Sequence, residues 1–105
     1  SVLKMTVRRE MLNGFNIAHG GITYSLADSA LAFVANGHGI QSISIETSIS
    51  HTKPVKEGDV LTATAMEKNL TSKIGIYEVA VKNQKDETVA LFKGTVYRTG
   101  KEWEV

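Results

Sequence analysis

The sequence contains no cysteine, a single proline and no long apolar run. Without cysteine, disulfide bonds, thiol catalysis and thiolate metal sites are excluded. No stretch approaches the roughly 20 apolar residues that a transmembrane helix needs, and no charged leader with an apolar segment opens the chain. We therefore expect a soluble protein without a membrane partner, in keeping with a reducing, cytoplasmic location.

An excess of charge of one sign is also missing. Twelve lysines and arginines face eleven aspartates and glutamates, which gives a net charge of +1. A nucleic-acid-binding protein usually shows a concentrated basic excess, so we expect no nucleic-acid partner. The 105 residues, 42% of them hydrophobic, fit one globular domain over residues 1–105. Because Ser1 stands directly in a strand-like pattern, an additional N-terminal piece is an open question.

Hydrophobic periodicity predicts one helix and five strands. Apolar residues recur at helical spacing from about residue 21 to 36 in a stripe that nearly encircles the segment, which predicts a buried helix closed by Asn36 and Gly37. Alternating patterns predict strands near residues 1–9, 43–50, 60–67, 75–82 and 88–98. Gly94 interrupts the last strand and predicts a bulge or a close approach. An antiparallel sheet that curls around a single apolar helix is the α+β architecture that covers such a helix.

One charged residue stands inside the predicted helix. Asp28 has Tyr24 and Leu31 among its helical neighbours. A buried carboxylate is costly unless it is paired, hydrogen-bonded or neutralised, and a carboxylate in such a place is typical of a general base. The alternative is that the helix exposes a narrow edge there and that Asp28 faces water.

The run His19-Gly20-Gly21 precedes the helix. Helix N-termini present unpaired N–H groups and a partial positive charge, and glycine lets a ligand approach that backbone closely. An oxyanion would be stabilised at this point. The alternative is a tight loop-to-helix turn in which the histidine only packs.

The two features are too far apart to act together within one chain. Asp28 lies eight residues beyond Gly20, about 12 Å along a helix, whereas reacting groups must meet within about 3.5 Å. If both are catalytic, the helix start of one subunit must meet the middle of the helix of another, as an isologous dimer with antiparallel helices allows. Catalysis here would therefore require oligomerisation.

The run NGFNIAHGGITYSLADSALAF, from Asn13 to Phe33, resembles the signature of hot-dog-fold acyl-CoA thioesterases, in particular the phenylacetic acid degradation type. The strand 43–54 and the closing LFKGTVYR segment are also similar, so that the resemblance covers nearly the whole chain. It implies a curved antiparallel sheet wrapped around one long central helix, with sites between the subunits of a homodimer that is often paired into a tetramer. Members usually carry an additional N-terminal segment, so the part of the acyl pocket or tetramer contact that it supplies is not carried over.

The resemblance also implies roles for individual residues. Asp28 matches the general base, or the nucleophile, of thioester hydrolysis, and Gly20 matches the residue whose backbone N–H polarises the thioester carbonyl. Asn13 matches a position that holds substrate or water, and His19 one that orients the loop or contacts the thioester. Candidate substrate-binding residues are Gly21, Ser44 and Tyr24. Ser44 falls near a position that binds the attacking water in some members. Tyr24, like Phe33, is a candidate either for the acyl pocket or for the plain core.

The expected reaction is hydrolysis of an acyl or arylacyl thioester to the free acid and coenzyme A, the latter being part of the substrate. It needs an activated water or carboxylate and an oxyanion site but no cofactor. The three histidines lie on different elements without metal-ligand spacing, so we expect no metal site. Two alternatives are a hydratase or dehydratase acting on acyl thioesters and a non-catalytic acyl-CoA-binding hot-dog domain. Candidate cations for the coenzyme A phosphates are Lys53, Lys56, Lys68, Lys73, Arg98 and Lys101.

Overall fold

A computed structural model describes residues 2–8, 20–37 and 39–102, without the side chains of residues 40, 101 and 102. Within these ranges the elements and their bounds are β1 (Val2–Thr6), α1 (Gly20–Asn36), β2 (Ile40–His51), β3 (Val60–Leu70), β4 (Ile74–Lys82) and β5 (Thr88–Glu102). The predicted order of one strand, one long helix and four further strands is confirmed.

The five strands form one antiparallel sheet in the order β1-β3-β4-β5-β2. Helix α1 contacts all five strands. Strand β2 follows the helix in the chain but pairs with the last strand, which leaves β2 at one edge of the sheet and β1 at the other. The α+β architecture predicted from the periodicity, a sheet curled around one helix, is confirmed.

The core lies between the helix and the side of the sheet that faces it. Its largest fully buried side chains include Tyr77, Phe92, Leu31 and Leu61. The helix is not covered all round, because five strands reach only one side of it: Phe33 is 66% exposed. The predicted near-complete coverage of the helix is therefore wrong for the isolated chain.

The end of the helix is fixed by Asn36 and Gly37, as predicted. The Asn36 amide donates to the carbonyl of Ala32 (2.9 Å), and the Gly37 N–H donates to the carbonyl of Val34 (3.3 Å). The side-chain oxygen of Asn36 also accepts a hydrogen bond from the Ser42 N–H (3.1 Å). This bond ties the C-terminal end of α1 to the start of β2.

Strands β2 and β5 are longer than their alternating patterns predict. Their antiparallel pairing continues to Ile40 opposite Glu102, where the sequence alternation has ended. Backbone hydrogen bonds extend the two strands there, and these do not depend on side-chain type.

Gly94 marks a close approach of β5 to the helix and not a bulge. A Cβ atom at this position would overlap Cδ2 of Leu31 and lie 3.2 Å from Cε1 of Phe92. Gly94 pairs in regular register with Thr47 on β2 and with Tyr77 on β4. Of the two alternatives predicted for this glycine, the close approach is correct.

Candidate active site

The helix begins where the glycine pair predicts it. Gly20 is the first residue of α1, and Gly21 in the first turn is exposed. The N–H groups of a first turn have no partner within their own helix, so this end of α1 can stabilise a partial negative charge. Asn13 and His19 lie outside the described residues, and their roles stay predictions.

Asp28 lies at the border between the core and the open side of the helix. Its side chain is half-buried, so the structure falls between a buried carboxylate and one that faces water. Within the described residues the carboxylate has no hydrogen-bond or ion-pair partner. A half-buried carboxylate with free oxygens can accept a proton from a water molecule beside it.

Gly20, Tyr24 and Asp28 follow each other at a spacing of four residues, which places them along one flank of the helix. The Tyr24 side chain shows which way this flank faces, because its hydroxyl lies 2.6 Å from Oγ1 of Thr47 on β2. The flank of Asp28 therefore faces the edge strand. Further round, the open side of the helix exposes Ser25, Ser29, Ala32 and Phe33.

Tyr24 is held from two sides. Its ring packs edge-on against Phe92, with centroids 5.4 Å apart and planes at 69°, and its hydroxyl shares the hydrogen bond with Thr47. The prediction placed Tyr24 in the acyl pocket or the plain core, and its half-buried ring contacts the core through Phe92. The partner Thr47 was not predicted, although it is the single hydroxyl in the alternating apolar run of β2, and that exception is a signal in the sequence.

A bulge in β2 decides which residues face the helix. The pairing shifts between Ser44 and Glu46, so that Ser44 lies opposite Val96 and Thr47 opposite Gly94. Val96 and Gly94 are both buried on the helix side of β5, which places Ser44 and Thr47 on that same side of the sheet. The alternation in the sequence assigns Ile43, not Ser44, to the face of Thr47; this assignment is wrong because the bulge adds one residue.

Two of the candidate cations pair with carboxylates of their own chain. Lys53 forms an ion pair with Glu87, and Lys68 lies 3.7 Å from Glu78. Lys73 and Arg98 are brought together, because the Arg98 N–H donates to the carbonyl of Lys73 (2.7 Å). The side chain of Lys101 is outside the described residues.

Comparison with known proteins decides the family. The sequence profile of the thioesterase superfamily matches residues 15–90, which is more than half of the chain. The chain belongs to the thioesterase superfamily. The fold is accordingly the hot-dog fold, and the resemblance predicted from the motif is confirmed.

Among superfamily members, the chain is homologous to the acyl-coenzyme A thioesterase PaaI of Escherichia coli, with 40% identity over 95% of this chain and 71% of that protein. The solved structure of E. coli PaaI, from the phenylacetic acid degradation operon, superposes with a TM-score of 0.94 at 40% identity and covers 96% of this chain and 73% of that one. A Streptococcus mutans protein solved bound to acetyl CoA has a TM-score of 0.93 at 27% identity, covering 97% of this chain and 82% of that one.

The chain spans between 66% and 71% of the length of the curated superfamily relatives that it matches. Within the described ranges no helix has the length and apolar character of a membrane span. In the same ranges no group of three or more histidines and carboxylates is placed to hold a metal ion.

Proposed function

We propose that this protein hydrolyses an acyl-CoA thioester, with an arylacyl group of the phenylacetyl type as the leading substrate class, to the free acid and coenzyme A. The observation that carries the proposal is Asp28, a half-buried carboxylate without a partner in the described residues, on the helix flank that starts at Gly20. The homology to E. coli PaaI and the likeness to a protein solved with acetyl CoA support the substrate class. We also propose that residues 1–105 belong to one domain and that the protein works in the cytoplasm.

Asp28 serves as the general base in this proposal. Water attacks the thioester carbonyl carbon and gives its proton to the Asp28 carboxylate, and the oxyanion that forms accepts a hydrogen bond from the N–H of Gly20. Gly21 stays a candidate substrate-binding residue beside it. The C–S bond then breaks, and the thiolate of coenzyme A takes up the proton. Ser44, on the helix side of β2, holds the attacking water, while Asn13 and His19 contact the thioester.

Direct attack by the Asp28 carboxylate is the alternative pathway. It forms an anhydride between enzyme and acyl group as the C–S bond breaks and coenzyme A leaves as the thiolate, and water then hydrolyses the anhydride. A single turnover in H₂¹⁸O tests this pathway: label found in the Asp28 carboxylate shows an anhydride that was cleaved at the aspartyl carbon, whereas direct attack by water puts label only into the released acid.

We propose a homodimer as the catalytic unit. Gly20 and Asp28 are about 12 Å apart along one helix, so one site takes Gly20 from one subunit and Asp28 from the other. The edge strand β2 supports this arrangement, since it exposes Ile43 (59%) and Ile45 (57%). An edge strand with exposed apolar side chains is suited to pairing with a second copy.

A second exposed apolar area supports the pairing of two dimers into a tetramer. On the side of the sheet that faces away from the helix, Met66 is 53% and Leu91 is 52% exposed. Both line a groove across β2, β3, β4 and β5. Exposed apolar groups grouped in this way are typical of contacts between proteins.

Release of free coenzyme A from short, medium and aromatic acyl-CoAs tests the proposed function. We expect the protein to turn over at least one of them, and Asp28→Asn, which keeps the size but removes the base, to lower kcat by about 10²-fold or more. The matched control is Asp86→Asn, because Asp86 is exposed and stands at a positive φ of 62° that asparagine adopts readily. It should retain full activity.

Two outcomes would overturn the proposed function. If neither the parent nor Asp28→Asn turns over any substrate while acyl-CoA still binds, the domain is an acyl-CoA-binding protein. If a 2-enoyl-CoA is hydrated while no coenzyme A is released, it is a hydratase.

A further inference from the structure

The hydroxyl groups of Tyr24 and Thr47 form a link between the helix and the edge strand. Their oxygen atoms are 2.6 Å apart, both side chains are half-buried, and the Tyr24 ring is fixed against the buried ring of Phe92. Since either hydroxyl can be the donor, the pair needs no charged partner. This hydrogen bond joins α1 to the central part of β2, whereas the one that the Ser42 N–H donates to the Asn36 side chain lies at the far end of the helix.

The link lies between the elements that carry the proposed reaction. On the helix, Tyr24 is one turn before Asp28 on the same flank. On the strand, Thr47 shares the helix side of the sheet with Ser44, just beyond the bulge. A shift of β2 at this point changes the gap between Ser44 and Asp28.

The link also has a special place in the proposed dimer. In this dimer Gly20 of each helix faces Asp28 of the other helix, because the two helices run antiparallel about a twofold axis. Residue 24 is midway between 20 and 28, so the backbone of Tyr24 lies at the level of the twofold axis, while its side chain is turned to Thr47 and Phe92 of its own chain. Each Tyr24 then stands equally far from both sites.

We propose that Tyr24 and Thr47 are positioning residues: their hydroxyl pair holds β2 against the Asp28 flank of α1 and so sets the distance between Asp28 and the water held by Ser44. This proposal rests on the proposed thioesterase function. The Tyr24 hydroxyl is engaged with Thr47, which leaves the ring of Tyr24, not its hydroxyl, to contact an acyl group.

Four variants test the link. Tyr24→Phe keeps the ring on Phe92 and removes one hydroxyl, Thr47→Val keeps the branched shape and removes the other, and the double variant removes both. Thr47→Ser, in contrast to Thr47→Val, keeps a hydroxyl at this position. The matched control is Tyr97→Phe, which removes the hydroxyl of a tyrosine 42% exposed on the other side of the sheet, opposite Ile43.

We expect Tyr24→Phe and Thr47→Val each to lower kcat about 10-fold with KM unchanged, below the roughly 10²-fold that a displacement of about 1 Å costs. The double variant should lose no more than either single variant, because one hydrogen bond is removed in all three. Thr47→Ser should recover most of kcat, and Tyr97→Phe should equal the parent. Amide hydrogen exchange in residues 44–49 should be faster in both hydroxyl-free single variants and not in the control.

The exchange measurement separates this proposal from the proposed function. If the parent releases no coenzyme A but the variants loosen residues 44–49, the thioesterase function is wrong and the link itself stands. If exchange is unchanged, or if only KM rises, the positioning role is wrong and the hydroxyls contact substrate. Loss of the dimer in the single variants, measured by light scattering, would equally overturn the proposal, because the pair would then be an interface contact.

Discussion

At the scale of single residues, Tyr77 is the most deeply buried titratable group in the described part of the chain. It is fully buried and donates its hydroxyl to Oε1 of Glu67 (3.2 Å). A Cβ atom at Gly75 would lie 2.8 Å from the Tyr77 ring, so a glycine is needed beside it. Burial, followed by the charge of Glu67 and the hydrogen bond to it, raises the pKa of Tyr77 to about 12, against the opposing effect of Arg98.

This pKa predicts a loss of stability at alkaline pH. In the unfolded chain this tyrosine ionises near its ordinary pKa of 10.0, whereas folded Tyr77, with its pKa raised to about 12, keeps its proton to a higher pH. Its contribution to the free energy of unfolding is therefore fully present below pH 10 and is lost as the pH rises from 10 to 12. We expect Tyr77→Phe to remove this part of the pH dependence, as measured by urea unfolding at a series of pH values.

Tyr97→Phe is the control, since Tyr97 is 42% exposed and should leave the alkaline loss of stability in place. An identical pH dependence in the parent and in Tyr77→Phe would contradict the prediction.

The sequence alone singles out the candidate site residues whose chemistry is unusual for their surroundings. Asp28 is the one charged residue in an apolar helix, and the glycine pair marks the helix start, so both could be predicted. Thr47 could not be assigned a role, because its partner Tyr24 is 23 residues away in the chain. Contacts of that kind depend on the register of a strand, which the local pattern leaves open.

At the scale of elements, the close packing of β5 on α1 depends on Gly94. Leu31 of the helix occupies the space in which any larger residue would place its Cβ. The helix and the strand lie in contact at this point, and Leu31 is 1% exposed. Such a buried side chain has little room to move aside.

Gly94→Ala should therefore destabilise the protein by about 1–3 kcal/mol, the usual cost of overpacking a core. Leu31→Ala alone should cost about 2–5 kcal/mol through the cavity that it leaves. In the double variant the new methyl group enters that cavity, so the combined loss should fall short of the sum of the single losses by about 1 kcal/mol or more. Urea unfolding of the four proteins measures this.

The exposed neighbour Lys93 on the same strand provides the control, since Lys93→Ala should change stability by at most about 0.5 kcal/mol. Additive effects of Gly94→Ala and Leu31→Ala would mean that the two residues do not share this space.

Hydrophobic periodicity predicted which segments are helix or strand, but it predicted only in part which side of each element is buried. The helix bounds agree with the prediction to one residue, because the apolar stripe and the Asn36-Gly37 end are both local signals. The bulge between Ser44 and Glu46 could not be predicted, since alternation in β2 is unbroken through it. The exposed side of the helix was also missed: a stripe that is apolar on nearly all sides does not tell which side is covered by the same chain and which by another.

At the scale of the whole molecule, the uncovered surfaces lie where the proposed second subunit would pack. The Tyr24–Thr47 contact joins the edge strand β2 to the Asp28 flank of the helix. The open side of the helix, with the exposed Phe33, lies further round. A dimer formed there covers apolar side chains and brings Gly20 of one chain to Asp28 of the other. Burial and catalysis would then depend on the same contact.

Complementation between two inactive variants tests this shared site. Asp28→Asn removes the base, and Gly20→Pro removes the N–H while placing proline in the first turn of a helix, where it is tolerated. Co-expressed with different affinity tags, the two variants form mixed dimers. One site of each mixed dimer then has both changes, and the other has an intact Asp28 and an intact Gly20. We expect a statistical mixture to regain roughly one quarter of the parent activity per chain.

The mixture decides between a shared site and a site within one chain. If Gly20 and Asp28 of the same chain worked together, every chain in the mixture would carry one defect, and no activity would return. Purification through both tags should raise the recovered activity above one quarter of the parent, to about one half where dimers are isolated, since each mixed dimer has one intact site of two. Each variant alone must first be shown to form dimers and to be inactive, so that recovery reflects the exchange of subunits and not residual activity of either one.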